Sequence, residues 1–344
     1  MGKYTTVYID ALTRGMKGDI EREVLAAGDI DLVVAGCTDD DQVVDVAGGA
    51  QAILNTMYWM DRSLFERLPD LKVVVRGGVG VDNLDVDAAT DCGIVVCNVI
   101  DYGYNEVANH AFAMLLALNR KIVTLDRSMR EKWASGPSLM PHTGRMAGET
   151  LGLLSFGHIA RAVARRAAGF DMRVVAFDPF VDGADARAMG VELLLLDDAL
   201  AEADYLSIHT PLVTETRNLI DARELALMKP NAYVVLTSRR GIIDEAALAD
   251  ALRARQIAGA GIDVWDGEPL DPSHPLLQLD NVIGSPHAAW YSQVPIVELR
   301  QRFAEAAADV LHGIMPRSLV NPSILDRVPL MPRDGHGDRT GDST

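Results

Sequence analysis

Three residues in the second half of the chain carry side chains suited to acid–base chemistry beside a bound anion: Arg239, Glu268 and His287. Each lies just past a predicted strand, after the apolar runs AYVVLTS, GAGIDVW and NVIGSP respectively. A guanidinium can bind a carboxylate through paired hydrogen bonds, and an imidazolium can donate its proton to a carbonyl oxygen. A nearby carboxylate favours the charged imidazole. The three types together suit reduction of a carbonyl next to a carboxylate, without a metal.

Each of these residues also has a purely structural interpretation. Arg239 could form a surface salt bridge, Glu268 could belong to a Gly-Glu-Pro turn, and His287 could be a hydrogen-bonded loop histidine. Taken singly, the turn is the better interpretation of Glu268, and the other two are balanced. The functional interpretation is favoured because all three follow strands, and ligands of an open α/β sheet collect at the carboxyl ends of its strands.

The elements that must position these residues alternate along the chain. Short apolar runs and amphipathic helical segments succeed one another from residue 4 to about residue 287, which predicts parallel sheets covered by helices on both faces. Residues 1 to about 100 form one α/β unit, and one long helix over about residues 105–133 leads into a second. A last helix, residues 293–312, has no sheet of its own and is expected to pack on the first unit.

A strand, turn, helix and strand are predicted over residues 149–179, where an apolar run stops at Gly157 and a second run ends in Asp178. In a βαβ unit such a turn places a helix N-terminus against a pyrophosphate, and an acidic residue about 20 positions later binds a ribose hydroxyl. Against the G-x-G-x-x-G pattern the chain has Ser155, Gly157 and Ala160. A dinucleotide site and an ordinary βαβ unit without cofactor both remain compatible with this stretch alone.

Size and composition narrow the class of protein. The 344 residues predict two domains, and the net charge of −17 argues against a nucleic acid or an anionic membrane as the main partner. The three cysteines form no C-x-x-C pair, and no apolar run reaches the roughly 18 residues of a membrane span. We therefore expect a cytoplasmic protein with neither a disulfide framework nor a zinc site.

Several blocks, in order, resemble one known family: VVVRGGVGVDNLD, NEVANHAFAMLLALNRK, GETLGLLSFG, DYLSIHTPLVTETRNLI, MKPNAYVVLTSRRGIIDEAAL, GIDVWDGEP and HPLLQLDNVIGSPHAAWYS. From about residue 50 to 322 the chain resembles the D-isomer-specific 2-hydroxyacid dehydrogenases, most closely the branch with the C-terminal binding protein corepressors. The resemblance implies NAD-dependent conversion between a 2-oxo acid and a D-2-hydroxy acid. It also implies an α/β fold with two Rossmann-like domains. A doubly wound parallel-sheet NAD-binding domain (102–290) is inserted in a discontinuous, flavodoxin-like substrate domain (1–101 and 291–328), followed by a disordered tail (329–344).

The same resemblance assigns roles to residues. Arg239 would bind the substrate carboxylate, Glu268 would be the partner acid and His287 the acid/base. The implied cofactor-binding residues are Ser155, Phe156, Gly157, His158, Ile159, Asp178, His209, Thr210, Pro211, Thr237 and Asp263, with Asp178 on the adenosine ribose and Asp263 on the nicotinamide carboxamide. The implied substrate-binding residues are Arg76, Gly77, Gly78, Val79, Gly80 and Trp290. A buried turn at residues 209–211, a plain tight turn at 77–80 and core packing of Trp290 are the alternatives. The long helix resembles the family's dimer-forming arm, so a homodimer is expected.

Four residues depart from the family pattern: Ser155 replaces a glycine, His158 an arginine, Leu236 an asparagine and Arg240 a glycine. Arg240 could favour a more anionic substrate or could point to solvent. These departures leave a second hypothesis open, a scaffold of corepressor type that senses NAD(H) and has vestigial catalysis. The complete set of Arg239, Glu268 and His287 favours the enzyme.

Overall fold

The computed structural model describes residues 2–100, 102–133, 137–140 and 143–333. The chain divides into two compact units, one formed by Met1–Tyr102 with Gln293–Thr344 and the other by Gly103–Ser292. The chain thus passes between the units at residues 102–103 and 292–293, where the predicted boundaries are 101–102 and 290–291. The assignment of a substrate-binding role to the first unit stays a prediction.

The first unit contains a five-stranded parallel sheet of order β2-β1-β3-β4-β5. This is the strand order of flavodoxin-like folds. Its elements before residue 100 are β1 (Tyr4–Tyr8), α1 (Asp19–Ala26), β2 (Ile30–Val34), α2 (Asp40–Ala47), β3 (Ala52–Asn55), α3 (Arg62–Phe65), β4 (Val73–Arg76), α4 (Val86–Asp91) and β5 (Val95–Asn98).

The second unit contains a seven-stranded parallel sheet of order β12-β11-β10-β9-β6-β7-β8. Its elements are α5 (Tyr104–Asn119), α6 (Ile122–Lys132), β6 (Thr150–Leu154), α7 (His158–Ala168), β7 (Arg173–Phe177), α8 (Gly183–Ala188), β8 (Val191–Leu193), α9 (Leu196–Glu202), β9 (Tyr205–Ile208), α10 (Ala222–Leu227), β10 (Tyr233–Leu236), α11 (Glu245–Arg253), β11 (Gly259–Ile262) and β12 (Val282–Gly284). The strand order reverses between β6 and β9, which is where doubly wound sheets bind ligands. The predicted fold class is therefore confirmed.

Apolar packing on both faces of the second sheet explains the long apolar runs of its strands. One cluster packs α5 and α7 against the sheet and includes Leu115, Val163 and Leu153, while the other includes Leu154 and Leu252 and takes in α9, α10 and α11. Every residue of β6, β9, β10 and β11 is buried, as expected for parallel strands covered on both sides.

Aspartate side chains begin most of the shorter helices by accepting a first-turn N–H. They cap α2, α3, α4, α8, α10 and α11. The helix α7 differs, because its N-cap is Gly157 and no side chain caps it. The first-turn amides of α7 are thereby left for another partner.

The single long helix predicted over residues 105–133 is wrong in one respect, because it is two helices, α5 and α6. Lys121 lies between them in the left-handed conformation, with φ 55°. Its ammonium group lies 4.9 Å from the ring centroid of Tyr233, a cation–π contact. Tertiary packing thus interrupts a segment whose helical spacing is continuous.

The last helix, α12 (Gln293–Leu311), packs on α1, β3, β4 and β5 of the first unit. Its Arg300 binds the buried carboxylate of Glu21, 2.7 Å from one guanidinium nitrogen, and also contacts Asp19. Beyond it, Met331 exchanges backbone hydrogen bonds of 2.8 Å with Met315 and Gly313. Ordered pairing thus extends past the predicted start of the tail at residue 329, and residues 334–344 lie outside the described part of the chain. Among the described residues, no helix is both long and apolar enough to cross a membrane.

Candidate active site

The ends of five neighbouring strands carry the candidate residues of the second unit. Arg239 follows β10, Glu268 follows β11 and His287 follows β12, and these strands are adjacent and parallel. The turn at Ser155 follows β6, and His209 follows β9. Since parallel strands end at the same edge of a sheet, the structure brings these predicted residues to one edge.

His287 and Glu268 form a direct pair. Nδ1 of His287 lies 2.9 Å from Oε2 of Glu268. The other carboxylate oxygen, Oε1, accepts the backbone N–H of Trp265 at 2.9 Å. About a third of each side chain is exposed, 36% for His287 and 33% for Glu268, so the pair is held by protein on one side and open to a ligand on the other.

The main chain of His287 is fixed at both of its polar groups. Its φ is 53°, its N–H donates to the carbonyl of Asp263 at 2.8 Å, and its carbonyl accepts Nε1 of Trp290 at 2.9 Å. Trp290 therefore holds the loop that presents the imidazole. A contact of Trp290 with the substrate stays a prediction.

Asp263 is buried and organises the same loop. Its Oδ1 accepts the N–H of Ala288 at 2.9 Å and the hydroxyl of Ser285 at 2.5 Å, and its Oδ2 accepts the N–H of Ala289 at 2.9 Å. The contacts of Asp263 within the protein are thus structural, and its predicted contact with a nicotinamide stays a prediction.

His110 was missed by sequence reasoning. Its Nε2 lies 2.8 Å from the hydroxyl of Ser285, which in turn donates to Asp263. The residue lies in α5, 175 positions before Ser285, and no local pattern connects the two. Only the block NEVANHAF, quoted above for the family resemblance, could have drawn attention to it.

The turn after β6 has the backbone shape that the glycine pattern predicts, although its first residue is serine. Ser155 has φ 73°, in the left-handed region that glycine occupies without strain. The next N–H, of Phe156, donates to Oδ2 of Asp178 at 2.8 Å, and Oδ1 of Asp178 accepts the N–H of Phe180 at 2.9 Å. The predicted ribose-binding carboxylate therefore lies directly beside the predicted pyrophosphate turn.

The basic residue at this turn is not at the position that the family pattern predicts. His158, the first residue of α7, packs beside the ring of Tyr104, with 6.3 Å between ring centroids. Arg161, one turn later, lies 4.9 Å from the ring centroid of Phe156 and donates from Nε to the carbonyl of Phe156 at 3.0 Å. Arg161, which sequence reasoning missed, thus brings a positive charge to the turn.

Unsatisfied polar atoms lie beyond β9 and β10. Nδ1 of His209 and the hydroxyls of Thr237 and Ser238 are enclosed, with no hydrogen-bond partner among the described residues. Buried polar atoms are normally paired. Nε2 of His209 is 2.9 Å from the hydroxyl of Ser207, and burial lowers the pKa of His209 to about 3. These atoms, with the first-turn amides of α7, suit the sugar, phosphate and carboxamide groups of a dinucleotide.

The remaining predicted residues of this unit lie in the same elements. Ile159 is the second residue of α7, and Thr210, which is buried, and Pro211 follow His209. Nη1 of Arg239 donates to the carbonyl of Ser238 at 2.8 Å. Leu236, where the family has asparagine, is buried in the apolar cluster shared with α11, so its departure is explained by core packing. Arg240 is exposed.

The predicted substrate loop of the first unit, residues 77–80, follows β4. The N–H of Gly77 donates to the carbonyl of Asn55 at 2.9 Å and that of Gly78 to the carbonyl of Arg76 at 2.9 Å. The Arg76 side chain lies across Gly78, where a Cβ would meet Nη1 at 1.6 Å and where φ is 149°. The guanidinium could move aside, but L side chains rarely adopt this φ, so glycine is favoured at residue 78. The amides of Val79 and Gly80 donate to no described residue and are the ones left for a ligand.

The fold and site define a class: a dinucleotide-binding oxidoreductase with an Arg, Glu and His set at the strand ends. Comparison with known proteins supports this class. The family described as D-isomer specific 2-hydroxyacid dehydrogenase, NAD binding domain, matches residues 112–289. The chain belongs to the D-isomer specific 2-hydroxyacid dehydrogenase family; it is an NAD-dependent dehydrogenase.

The chain is also similar to individual proteins that are named as dehydrogenases or reductases. A glyoxylate reductase of Korarchaeum cryptofilum is 41% identical over 77% of this chain and 81% of its own length. A D-3-phosphoglycerate dehydrogenase of Mycobacterium bovis is 42% identical over 72% of this chain, but the match spans only 47% of that protein. The solved structure of D-lactate dehydrogenase from Escherichia coli superposes with a TM-score of 0.76 and 27% identity, covering 92% of this chain and 99% of that one.

Proposed function

We propose that this chain reduces a 2-oxo acid to the D-2-hydroxy acid with NADH, and that His287 donates the proton. The observation that carries the proposal is the 2.9 Å contact between Nδ1 of His287 and Oε2 of Glu268. That contact leaves the other ring nitrogen, Nε2, to act on a substrate. A carboxylate in this position stabilises the imidazolium, which is the form that can donate a proton.

Each residue of the set has one role in this proposal. Arg239 binds the substrate carboxylate through its guanidinium and so orients the adjacent carbonyl. His287 donates its proton to the carbonyl oxygen, and Glu268 stabilises the charged imidazole before the transfer. When bound, NADH supplies the hydride that the carbonyl carbon accepts. Membership of a D-isomer specific family supports the D configuration of the product.

The surroundings of Asp178 favour NADH over NADPH. An Asp at the end of the second strand binds the ribose 2′-hydroxyl and disfavours a 2′-phosphate. Two further acids, Asp182 and Asp185, lie at the start of α8, shortly after Asp178. Their charges add to the repulsion of a phosphate, and Arg161 is 4.0 Å from Asp185.

The substrate is a small 2-oxo acid, and the names of the relatives suggest two candidates. One relative is named a glyoxylate reductase, and several are named D-3-phosphoglycerate dehydrogenases; this chain spans about half the length of the latter. Arg240 lies next to Arg239 and is exposed, so it can add positive charge for a second anionic group. We propose that Arg240 raises the preference for dianionic substrates.

The test is NADH oxidation by the purified chain with a panel of 2-oxo acids. The panel contains glyoxylate, pyruvate, a branched apolar 2-oxo acid, 2-oxoglutarate and 3-phosphohydroxypyruvate. Turnover with at least one of them is expected. A protein that binds NADH but turns over none of these acids would contradict the proposal. Arg240→Gly should shift the ranking towards monoanionic substrates; an unchanged ranking would remove the role of Arg240.

A homodimer is part of the proposal, and α6 supports it. This helix exposes several apolar side chains, namely Ile122, Val123 and Met129, and Trp133 directly after it is 81% exposed. An exposed apolar set of this kind favours burial against a second copy. Sedimentation at micromolar concentration should give the mass of two chains.

The narrower resemblance to the corepressor branch stays a prediction. The relatives reported above carry enzyme names, and the paired His287 and Glu268 favour turnover over sensing alone. A sensing scaffold would bind NADH in the same assay without oxidising it with any 2-oxo acid.

A further inference from the structure

A second His–Glu pair lies behind the loop that carries Glu268. Glu245 is the first residue of α11, and its Oε2 is 3.0 Å from Nε2 of His274. Both side chains are mostly buried, with 13% of Glu245 and 17% of His274 exposed. Neither residue belongs to the set described above.

This pair contacts the loop through its backbone. Oε1 of Glu245 accepts the N–H of Asp266 at 2.9 Å. The preceding N–H, of Trp265, donates to Oε1 of Glu268 at 2.9 Å. Two consecutive amides are thus held by two carboxylates, Glu245 from the helix side and Glu268 from within the loop. His274 also packs edge-on against the indole of Trp265, with 6.0 Å between ring centroids.

Helix capping does not explain Glu245. The N-cap of α11 is Asp244, whose side chain accepts the N–H of Ala247 at 2.9 Å. The carboxylate of Glu245 is therefore not needed to satisfy the first turn. Its two oxygens are used instead for Asp266 and His274, although enclosing a carboxylate is costly.

The environment also determines which nitrogen of His274 carries the proton. Nδ1 of His274 is enclosed and has no partner among the described residues, so a proton there would be an unsatisfied buried donor. Nε2 is therefore the ring nitrogen that donates to Glu245. Burial raises the pKa of the Glu245 carboxyl, and the charge of Asp266 raises it further, while the amide of Asp266 and His274 oppose both effects. The amide of Asp266 and the imidazole of His274 thus both favour the carboxylate form of Glu245 against its burial.

We propose that Glu245 and His274 are positioning residues for the reduction: they fix the Trp265–Glu268 segment so that Glu268 faces His287. This inference rests on the proposed function, because its measurable effect is on proton donation by His287. Neither residue contacts the reacting atoms.

The test compares variants of the full chain with the wild type, using the best 2-oxo acid of the panel. Glu245→Ala should lower kcat by about 10- to 100-fold, as expected for a small displacement of a catalytic group. NADH affinity, measured by fluorescence titration, should change less than about twofold. The pH above which kcat/KM falls should move down, because a displaced Glu268 stabilises the imidazolium less. A purely structural role would not move this pH.

Two further variants sharpen the test. Glu245→Asp keeps the charge but is one methylene too short to reach both Asp266 and His274, so it should show the same pH displacement. Glu245→Gln keeps an acceptor for the amide of Asp266 and should recover most of the rate. Asp250→Asn is the matched control, because Asp250 lies on the same helix, its side chain is 80% exposed, and Arg253 is its one side-chain partner among the described residues. The parameters of this variant should equal those of the wild type.

The outcomes separate the two proposals. If the wild type turns over substrate and Glu245→Asp has the same kcat and pH profile as the wild type, the positioning role alone is overturned. Absence of wild-type turnover would overturn the proposed function and this inference with it. If Glu245→Ala fails to bind NADH, Glu245→Asp, which keeps the charge and is the smaller change, decides.

Discussion

The indole of Trp265 donates from Nε1 to the carbonyl of Ser285 at 2.9 Å. This bond joins the loop after β11, which carries Glu268, to the loop after β12, which carries His287. The Trp265 amide also binds Glu268, so one residue sets the orientation of the carboxylate and the spacing of the two loops. The His287–Glu268 pair is therefore held through backbone contacts rather than through its own side chains alone.

Substitutions of His287 and of Glu268 should both impair reduction, but to different degrees. His287→Ala removes the proposed proton donor and should lower kcat by about 100- to 10,000-fold. Glu268→Gln keeps the shape but loses a charge-assisted hydrogen bond of about 1.5 kcal/mol, which corresponds to about tenfold in rate. Steady-state kinetics measure both, with Glu298→Gln on α12, a half-exposed residue, as control. Wild-type kcat in His287→Ala would contradict the assignment.

Changing Asp178 to asparagine should weaken the preference for NADH. Asp178→Asn removes the charge and keeps one acceptor oxygen, which can serve only one of the N–H groups of Phe156 and Phe180. We expect NADH to bind about tenfold more weakly, since a charge-assisted bond becomes neutral, and NADPH to lose less or gain. Dissociation constants from fluorescence titration give the ratio. A ratio equal to that of the wild type would show that Asp178 does not set the cofactor choice.

Ser155→Gly should leave NADH affinity unchanged. Ser155 already has the left-handed conformation of the glycine that it replaces, at φ 73°. Relief of strain, about 1 kcal/mol, is offset by the greater entropy of unfolded glycine, so unfolding free energy should change by less than about 1 kcal/mol. Ser155→Val, with a branched side chain in the same conformation, should lose stability by about 1 kcal/mol or more. A clear gain in affinity for Ser155→Gly would mean that the serine obstructs the pyrophosphate.

Acidification should destabilise the second unit through His209. Its pKa is lowered from 6.5 to about 3, so the unfolded chain binds a proton that the folded protein excludes. The stabilisation is present above pH 6.5 and is lost progressively as pH falls towards 3. Between pH 7.5 and 5 the loss is about 2 kcal/mol of unfolding free energy.

His209 keeps some exposed surface, but its Nδ1 is enclosed, and the surroundings of the ring nitrogens determine the protonation. Denaturant unfolding of wild type and His209→Gln at several pH values measures this; equal pH slopes would refute the assignment.

Much of the fold follows from local patterns in the sequence. Apolar runs such as LGLL and YVVL form strands because parallel strands buried on both faces need apolar residues throughout. The order of strands and helices predicts parallel sheets, and strand ends meet at one edge, which is why Arg239, Glu268 and His287 could be selected. Gly157 and Asp178 were identified in the same way, from the spacing of a βαβ unit.

The tertiary structure alone decided the contacts between distant segments. At the break between α5 and α6, Lys121 contacts Tyr233, which lies 112 residues later, and the link from His110 to Ser285 spans 175 residues. The pairing of Glu245 with His274 depends on α11 lying behind the loop after β11. Sequence periodicity reports which face of an element is buried, whereas these contacts depend on which elements become neighbours, and that is determined only when the sheet assembles.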